Sequence, residues 1–232
     1  MPCRSLTITA TLVLFFCTPT RAQFQLGIDA GPDFARILNI IQGYTTTGEP
    51  YMKDYHQVTH LYCGVHADIP LDRKDKFILR PALRYLGAGG ETPAIPDYYG
   101  GNSITYPSTN WSFHYLNLPV QALYSPSFKF GKPWIGGGFY SNVLLSGNGR
   151  TNQNTYSLGI GNSAGDIKRF DFGFVASVGF IFRCGVLIGG DFQQSLTGID
   201  PENSFNYAGR KVRNSVWGVY LGYTWTLKRK SH

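Results

Sequence analysis

After its first two dozen residues this 232-residue chain has no long apolar run. A membrane helix needs about 18 or more such residues, so a helical anchor is excluded beyond that point. Cysteine is also scarce. Of four, Cys3 and Cys17 lie in the N-terminal stretch, leaving Cys63 and Cys184 on segments not expected to be neighbours. Two separated thiols exclude a disulfide framework, and free cysteines are expected. Charge is low as well, at 15%, whereas there are 28 glycines and 31 Phe and Tyr. That balance fits many short strands and turns rather than helices.

What is present at the start is a leader. Met1-Pro-Cys-Arg4 is followed by an apolar stretch from Leu6 to Cys17 and then Thr20-Arg21-Ala22, the layout of a secretory signal peptide cut after Ala22. Cys17 has a leucine three residues before it, as lipoproteins do, but Phe16 stands where lipid modification wants a small residue. The expected organisation is a signal peptide over 1–22 and one domain over 23–232. Loss of Arg4 and Arg21 takes the net charge from +7 to +5.

The domain reads as strands of period 2. In the last one, Trp217 to Leu227, large apolar residues at odd positions alternate with Gly218, Tyr220, Gly222, Thr224 and Thr226. Seven others repeat the pattern: Phe24–Gly31, His60–Ile69, Phe77–Tyr85, Tyr115–Tyr124, a glycine-rich Ile135–Val143, Phe170–Phe182 and Val186–Gln193. About ten such residues, tilted near 45°, cross a bilayer's hydrocarbon. Pro81 and Pro119 fall inside strands, where each removes a ladder donor, and a bulge or weakened pairing is expected there.

The connections alternate in length. Long gaps follow the first, third, fifth and seventh strands (Ile37 to His56, Gly87 to Asn110, Ser146 to Arg169, Gly198 to Asn214), and short ones follow the second, fourth and sixth. An even strand count with short turns at one end and long loops at the other is the layout of an outer-membrane barrel with both termini in the periplasm. A soluble lipocalin-like binding barrel gives no reason to sort its loops by end. The fold expected is all-β: an eight-stranded antiparallel up-and-down transmembrane β-barrel in the outer membrane of a Gram-negative bacterium.

Four segments carry a family likeness: F-Q-L-G-I-D-A-G after the cut, Y-L-N-L-P-V-Q-A-L-Y from Tyr115, F-D-F-G-F-V-A-S-V-G-F from Phe170, and the closing G-V-Y-L-G-Y-T-W-T-L. In these the chain resembles the PorT-like outer-membrane β-barrel proteins of Bacteroidota. The resemblance implies the same eight-stranded barrel and little chemistry. The tail Lys228-Arg229-Lys230-Ser231-His232 departs from it, since such barrels usually stop at an aromatic residue.

Motifs of catalysis are weak. Gly161-Asn-Ser163-Ala-Gly165 matches a nucleophile elbow, but that device needs a following helix and a strand pattern follows here. His56, His60, Cys63 and His66 lie close in sequence. On a strand, however, His60 and His66 are about 20 Å apart and Cys63 points the other way, so this strand alone makes no metal site. Ser112 and His114 share one face at the outer rim and resemble the Ser/His pair of outer-membrane lipid A deacylases, though no carboxylate is placed to orient the histidine. No catalytic residue, metal or cofactor is assigned.

Two groups remain. Asp29, Asp68, Arg80, Arg84, Asp171 and Asp191 should face a lumen just wide enough to be filled by side chains, where charges must pair. Lys168, Arg169, Arg210, Lys211 and Arg213 lead into strands at the outer rim, at the level of lipopolysaccharide phosphates, which guanidinium groups bind by paired hydrogen bonds. The function expected is a non-enzymatic structural, adhesion or envelope-assembly role through the loops, without a large-solute pore. The partners expected are outer-membrane lipid and lipopolysaccharide, the assembly machinery, and other envelope or secretion proteins, with no nucleic acid. A lipid A-modifying enzyme is the alternative.

Overall fold

The computed structural model describes residues 24–40, 56–92, 95–99, 102–163, 166–199 and 211–226. They form β1 (Gln25–Ile40), β2 (Val58–Pro70), β3 (Phe77–Thr92), β4 (Ile95–Tyr99), β5 (Asn102–Tyr106), β6 (Thr109–Tyr124), β7 (Gly131–Thr151), β8 (Thr155–Ser157), β9 (Phe170–Phe182), β10 (Val186–Ser195) and β11 (Lys211–Thr226). Eight of these close into an antiparallel barrel in the order β6-β3-β2-β1-β11-β10-β9-β7, sealed by pairing of β7 with β6. Closure leaves no free edge, so backbone donors are satisfied without water. The leader and the tail after Thr226 lie outside the described residues.

The register fixes the barrel's shape. Followed from Asp29 through Gly222, Leu187 and Ile181, the ladder meets β7 at Lys132; followed through Gly64, Arg84 and Asn117, it meets β7 at Asn142. That stagger of ten residues over eight strands requires the strands to tilt, and it turns one hydrogen-bonded row into a spiral inside the lumen.

All eight expected strands are present, but several run further than the alternation indicated. β3 and β6 reach well past Tyr85 and before Tyr115, and β7 continues to Thr151. The long gaps are thus partly wall: β4 and β5 form a separate hairpin, and β8 pairs with the outer end of β7.

Prolines weaken pairing without a bulge. The β3–β6 ladder lapses between Pro81↔Val120 and Arg84↔Asn117 and resumes in the same register, while β2–β3 lapses between His66↔Ala82 and Ile69↔Leu79. Pro32, just past the expected end of the first strand, interrupts β1–β11 between Ala30↔Leu221 and Asp33↔Gly218 in the same way. The register shift in the wall lies instead between His114 and Tyr115, where β7 inserts the exposed Leu145.

The two turns described in most detail are built from local chemistry. Asp72 accepts backbone hydrogen bonds from Phe77 and Lys76 at 2.8 Å and from Lys74 at 3.2 Å. Those donors, Phe77 first, hold its carboxyl below the ordinary value of 3.8. Gly185 closes the β9–β10 turn at φ 91°, a conformation that a Cβ would strain.

Polarity inverts along the strands. In the lower part of β6, Leu118 and Val120 point out and are exposed, while Asn117 and Gln121 point in and are buried. Above Leu116 the faces exchange character: Trp111, Phe113 and Tyr115 turn inward, and Asn110, Ser112 and His114 turn outward. On β1, Ile28 is outside opposite a buried Asp29, whereas further up Arg36 is outside and Ile37 is buried. The exchange marks the top of the hydrocarbon. Below it lipid takes the apolar face; above it water does not. A soluble barrel would not expose Leu61, Val65, Ile135, Phe139, Val178 and Leu221 around its girth.

Candidate functional site in the lumen and at the outer rim

Among the described residues, each of the six lumen charges read from the sequence has a hydrogen-bond partner. Near the short turns, Arg80 holds Asp68 through two bonds, Nε to Oδ1 at 2.6 Å and Nη2 to Oδ2 at 2.8 Å, and its guanidinium lies 4.7 Å from the Trp134 ring. One layer up, Arg84 Nη1 donates to Asp191 at 2.5 Å, with the Tyr62 and Tyr220 rings 5.2 and 5.7 Å from its guanidinium. Asp29 takes no arginine. It is bound by the Tyr62 hydroxyl and by His66 Nδ1 at 2.7 Å. Asp171 sits highest, accepting from Ser195, from Thr197 at 3.0 Å and from Asn142 at 3.3 Å. All six of the lumen residues read from the sequence are buried here, but in separate layers rather than as one chain of charges.

Between the layers lie groups the sequence reading did not name. Asn117 donates to Asn142 and Gln193, and Ser177 donates to Gln121. Asp33 is buried with its Oδ2 unpartnered, so the lumen holds a fifth acid beside the four expected. It was missed because Gly31-Pro32 reads as a strand end.

Two apolar clusters accompany this polar column, the lower one interleaved with its ion pairs and the upper one above it. The lower one is Tyr62, Ile78, Leu123, Trp134, Ile181, Leu187 and Tyr220. The upper one includes Ile37, Leu86, Phe113, Leu144 and Val216, and it is completed from above by Leu158, Ile160, Ile167 and Ile199, which the loops contribute. Gly90 of β3 lies so close to Ile37 of β1 that a Cβ there would stand 3.1 Å from the Ile37 nitrogen, and the outer end of β3 leans inward at the mouth.

On the outer surface, Arg36, Arg213 and Arg169 fall on or just ahead of β1, β11 and β9, all on one side of the barrel. Arg36 pairs in register with Ser215, and Arg213 with Leu38, making the two diagonal neighbours. Lys168 and Arg169 precede β9, and the Arg169 carbonyl accepts from Leu144 N at 2.7 Å. Among the described residues none of these four cations has an ion-pair partner. Arg210 and the Lys211 side chain lie outside what is described. Arg36 joins the set as a member the sequence reading lacked; the signal was the switch from outward Ile28 to outward arginine.

The opposite side, β3-β6-β7, carries a polar groove of about 790 Å³ that includes Ser112 and His114. Each of these two bonds to another side chain. The Ser112 hydroxyl is bonded to Asn110 at 3.3 Å, and His114 Nδ1 to the Tyr85 hydroxyl at 2.6 Å. Ser163 sits in a turn whose Asp166 carboxylate accepts from the Ser163 nitrogen at 3.1 Å; Ala164 and Gly165 are not described, and the strand β9 follows. His66 is committed to Asp29, and His60 meets His114 edge-on with ring centroids 6.2 Å apart. Cys63 and Cys184 are exposed and unpaired.

This geometry agrees with comparison to known proteins. The family model described as outer membrane protein beta-barrel domain matches residues 19–201. The chain belongs to that outer-membrane β-barrel family. A search of curated proteins finds no sequence match. Among solved structures, this outer-membrane barrel is similar to OprG from Pseudomonas aeruginosa, at 10% identity and TM-score 0.47, over 89% of this chain and 98% of that one. It is also similar to Ail, the attachment invasion locus protein of Yersinia pestis, at 10% identity and TM-score 0.40, over 88% and 99% of the chains. A third is Neisserial surface protein A, at 13% identity and TM-score 0.40, over 86% and 96%.

Proposed function

We propose that this outer-membrane barrel works through its outer surface as a structural or adhesive envelope component, anchored in the outer leaflet by lipopolysaccharide, and that it is not a pore for large solutes. The observation that carries the reading is the filled lumen, with ion pairs packed among aromatic and apolar side chains and an apolar cluster above them, which leaves the rim as the place where a partner can be met. The anchor is the arc of Arg36, Lys168, Arg169 and Arg213 above the aromatic residues Phe34, Phe170 and Trp217. Unpaired guanidinium groups at that height suit lipid phosphates, which they bind through two parallel charge-assisted hydrogen bonds. Membership of the PorT-like group within the family, suggested by the four sequence segments, is part of this reading and is compatible with its sparse chemistry.

Replacing Arg36, Arg169 and Arg213 together with glutamine should reduce lipopolysaccharide co-purification several-fold while the barrel stays heat-modifiable on a gel. Unchanged retention of lipid in a folded triple variant would overturn the anchor. Stable porin-sized conductance steps from reconstituted wild-type protein would overturn the closed lumen.

A further inference from the structure

We infer that the groove on β3, β6 and β7 is a binding site for a neutral saccharide, separate from the arginine arc and independent of it. The floor of the groove is the outward face of the extended sheet just above the hydrocarbon boundary. The pairs Glu91↔Asn110, Asn110↔Arg150 and Ser112↔Asn148 set its side chains in rows. One wall is the turn after β7, made stiff by three bonds: Thr151 N to Asn154 O at 2.8 Å, Asn154 N to Thr151 Oγ1 at 3.0 Å, and Thr151 Oγ1 to Asn154 O at 3.2 Å. The lower end is the His114 ring, stacked on Tyr85 with 15° between planes and tied to its hydroxyl. A volume of about 790 Å³ falls in the ~300–1,000 Å³ range of small-ligand sites.

The lining decides the ligand. Five amides (Asn110, Asn148, Asn152, Gln153 and Asn154) offer donors and acceptors together, and serine and threonine hydroxyls lie among them. The single guanidinium, Arg150, is offset by the single carboxylate, Glu91. A phosphate or an acidic peptide would find a groove whose one guanidinium and one carboxylate leave it without net positive charge. A lipid tail or an amphipathic helix would find no apolar floor. What fits a near-neutral surface of paired donors and acceptors is a ligand with vicinal hydroxyls, each of which both gives and takes a hydrogen bond. Pyranose sugars have that chemistry.

Such a sugar has two sources: the core saccharide of glycolipid in the same leaflet, or a glycan arriving from outside. The full-length protein, folded in phospholipid nanodiscs, would be titrated with lipid-free core oligosaccharide and with a panel of neutral oligosaccharides, binding being read by calorimetry. At least one probe is expected to saturate the site. The separate variants Asn110→Leu and Asn148→Leu should each weaken it ten-fold or more. Arg213→Gln, on the far side of the barrel, should leave it unchanged even if it reduces lipid retention, so this site and the anchor fail separately. Repeating the titration in nanodiscs containing lipopolysaccharide assigns the source: competition for the site means the leaflet's own sugar, and undiminished binding means an external glycan. No saturable binding by the wild type, or full binding by both folded leucine variants, would overturn the inference.

Discussion

The membrane half of this barrel and its outer half use the same strands in opposite senses. Below Leu116 the wall is inside-out, with Leu118, Val120, Ile135 and Leu221 in lipid and Asp29, Arg84, Asn117 and Asp191 inside. Above it the wall is like a water-soluble sandwich, with Ile37, Leu86, Phe113 and Leu144 inside and Arg36, Asn110, Ser112 and His114 outside. The difference shows that the solvent on the outer face, not the strand, decides which parity is apolar. A single continuous strand such as β6 then reports where the solvent changes.

The largest effect expected tests the lower half. Arg84→Met leaves Asp191 buried without its cation and should cost about 3–5 kcal/mol of unfolding free energy, read from urea titration of the refolded barrel. Adding Asp191→Leu should recover most of that loss. If the double variant is no better than the single, Arg84 acts through its tyrosine neighbours rather than through the ion pair.

Moving arginine along the outside of β6 should locate the boundary. Arginine at Val120 should cost about 2–4 kcal/mol, as on the lipid face of other barrels, whereas at Ser112 the cost should fall to about 0–1 kcal/mol. A penalty that is the same at both positions would break the comparison between the halves.

The smallest effect concerns the turn between β2 and β3, outside the membrane. Because backbone donors from Phe77, Lys76 and Lys74 lower the Asp72 carboxyl, it binds its proton less readily folded than unfolded. Its contribution is therefore present above the ordinary value of 3.8 and is lost as pH falls through the lower folded value. Asp72→Asn should therefore lose a little stability at neutral pH, with its difference from the wild type closing as pH falls through the acid range, so that the acid limb is flatter. An unchanged acid limb would mean that the turn is not held by that charge.

The same inversion explains what could be read from the chain beforehand. The eight crossings were legible because lipid forces a long outward apolar row, as in Phe170, Phe172 and Phe174. The outer walls were not, since that row stops while the strands continue. Leu86 to Gly90 are buried at five successive positions, which erases period 2 altogether. The lumen charges were legible from parity alone. Their partners were not: Asp191 reaches Arg84 across 107 residues of sequence, and the stagger of the barrel that brings them together appears only once it closes. Asp33 and Arg36 escaped because Pro32 resembles a terminator but only interrupts one ladder.

The upper apolar cluster also divides the third long connection into two kinds of chain. Leu158, Ile160 and Ile167 are fastened into the mouth of the barrel, while Asn152, Gln153 and Asn154 form an exposed tip. For surface display this sets the graft point. A foreign peptide spliced between Gln153 and Asn154 would be carried outward on the stiff arm of β7, while the same insert a few residues later would pull the stopper from the barrel.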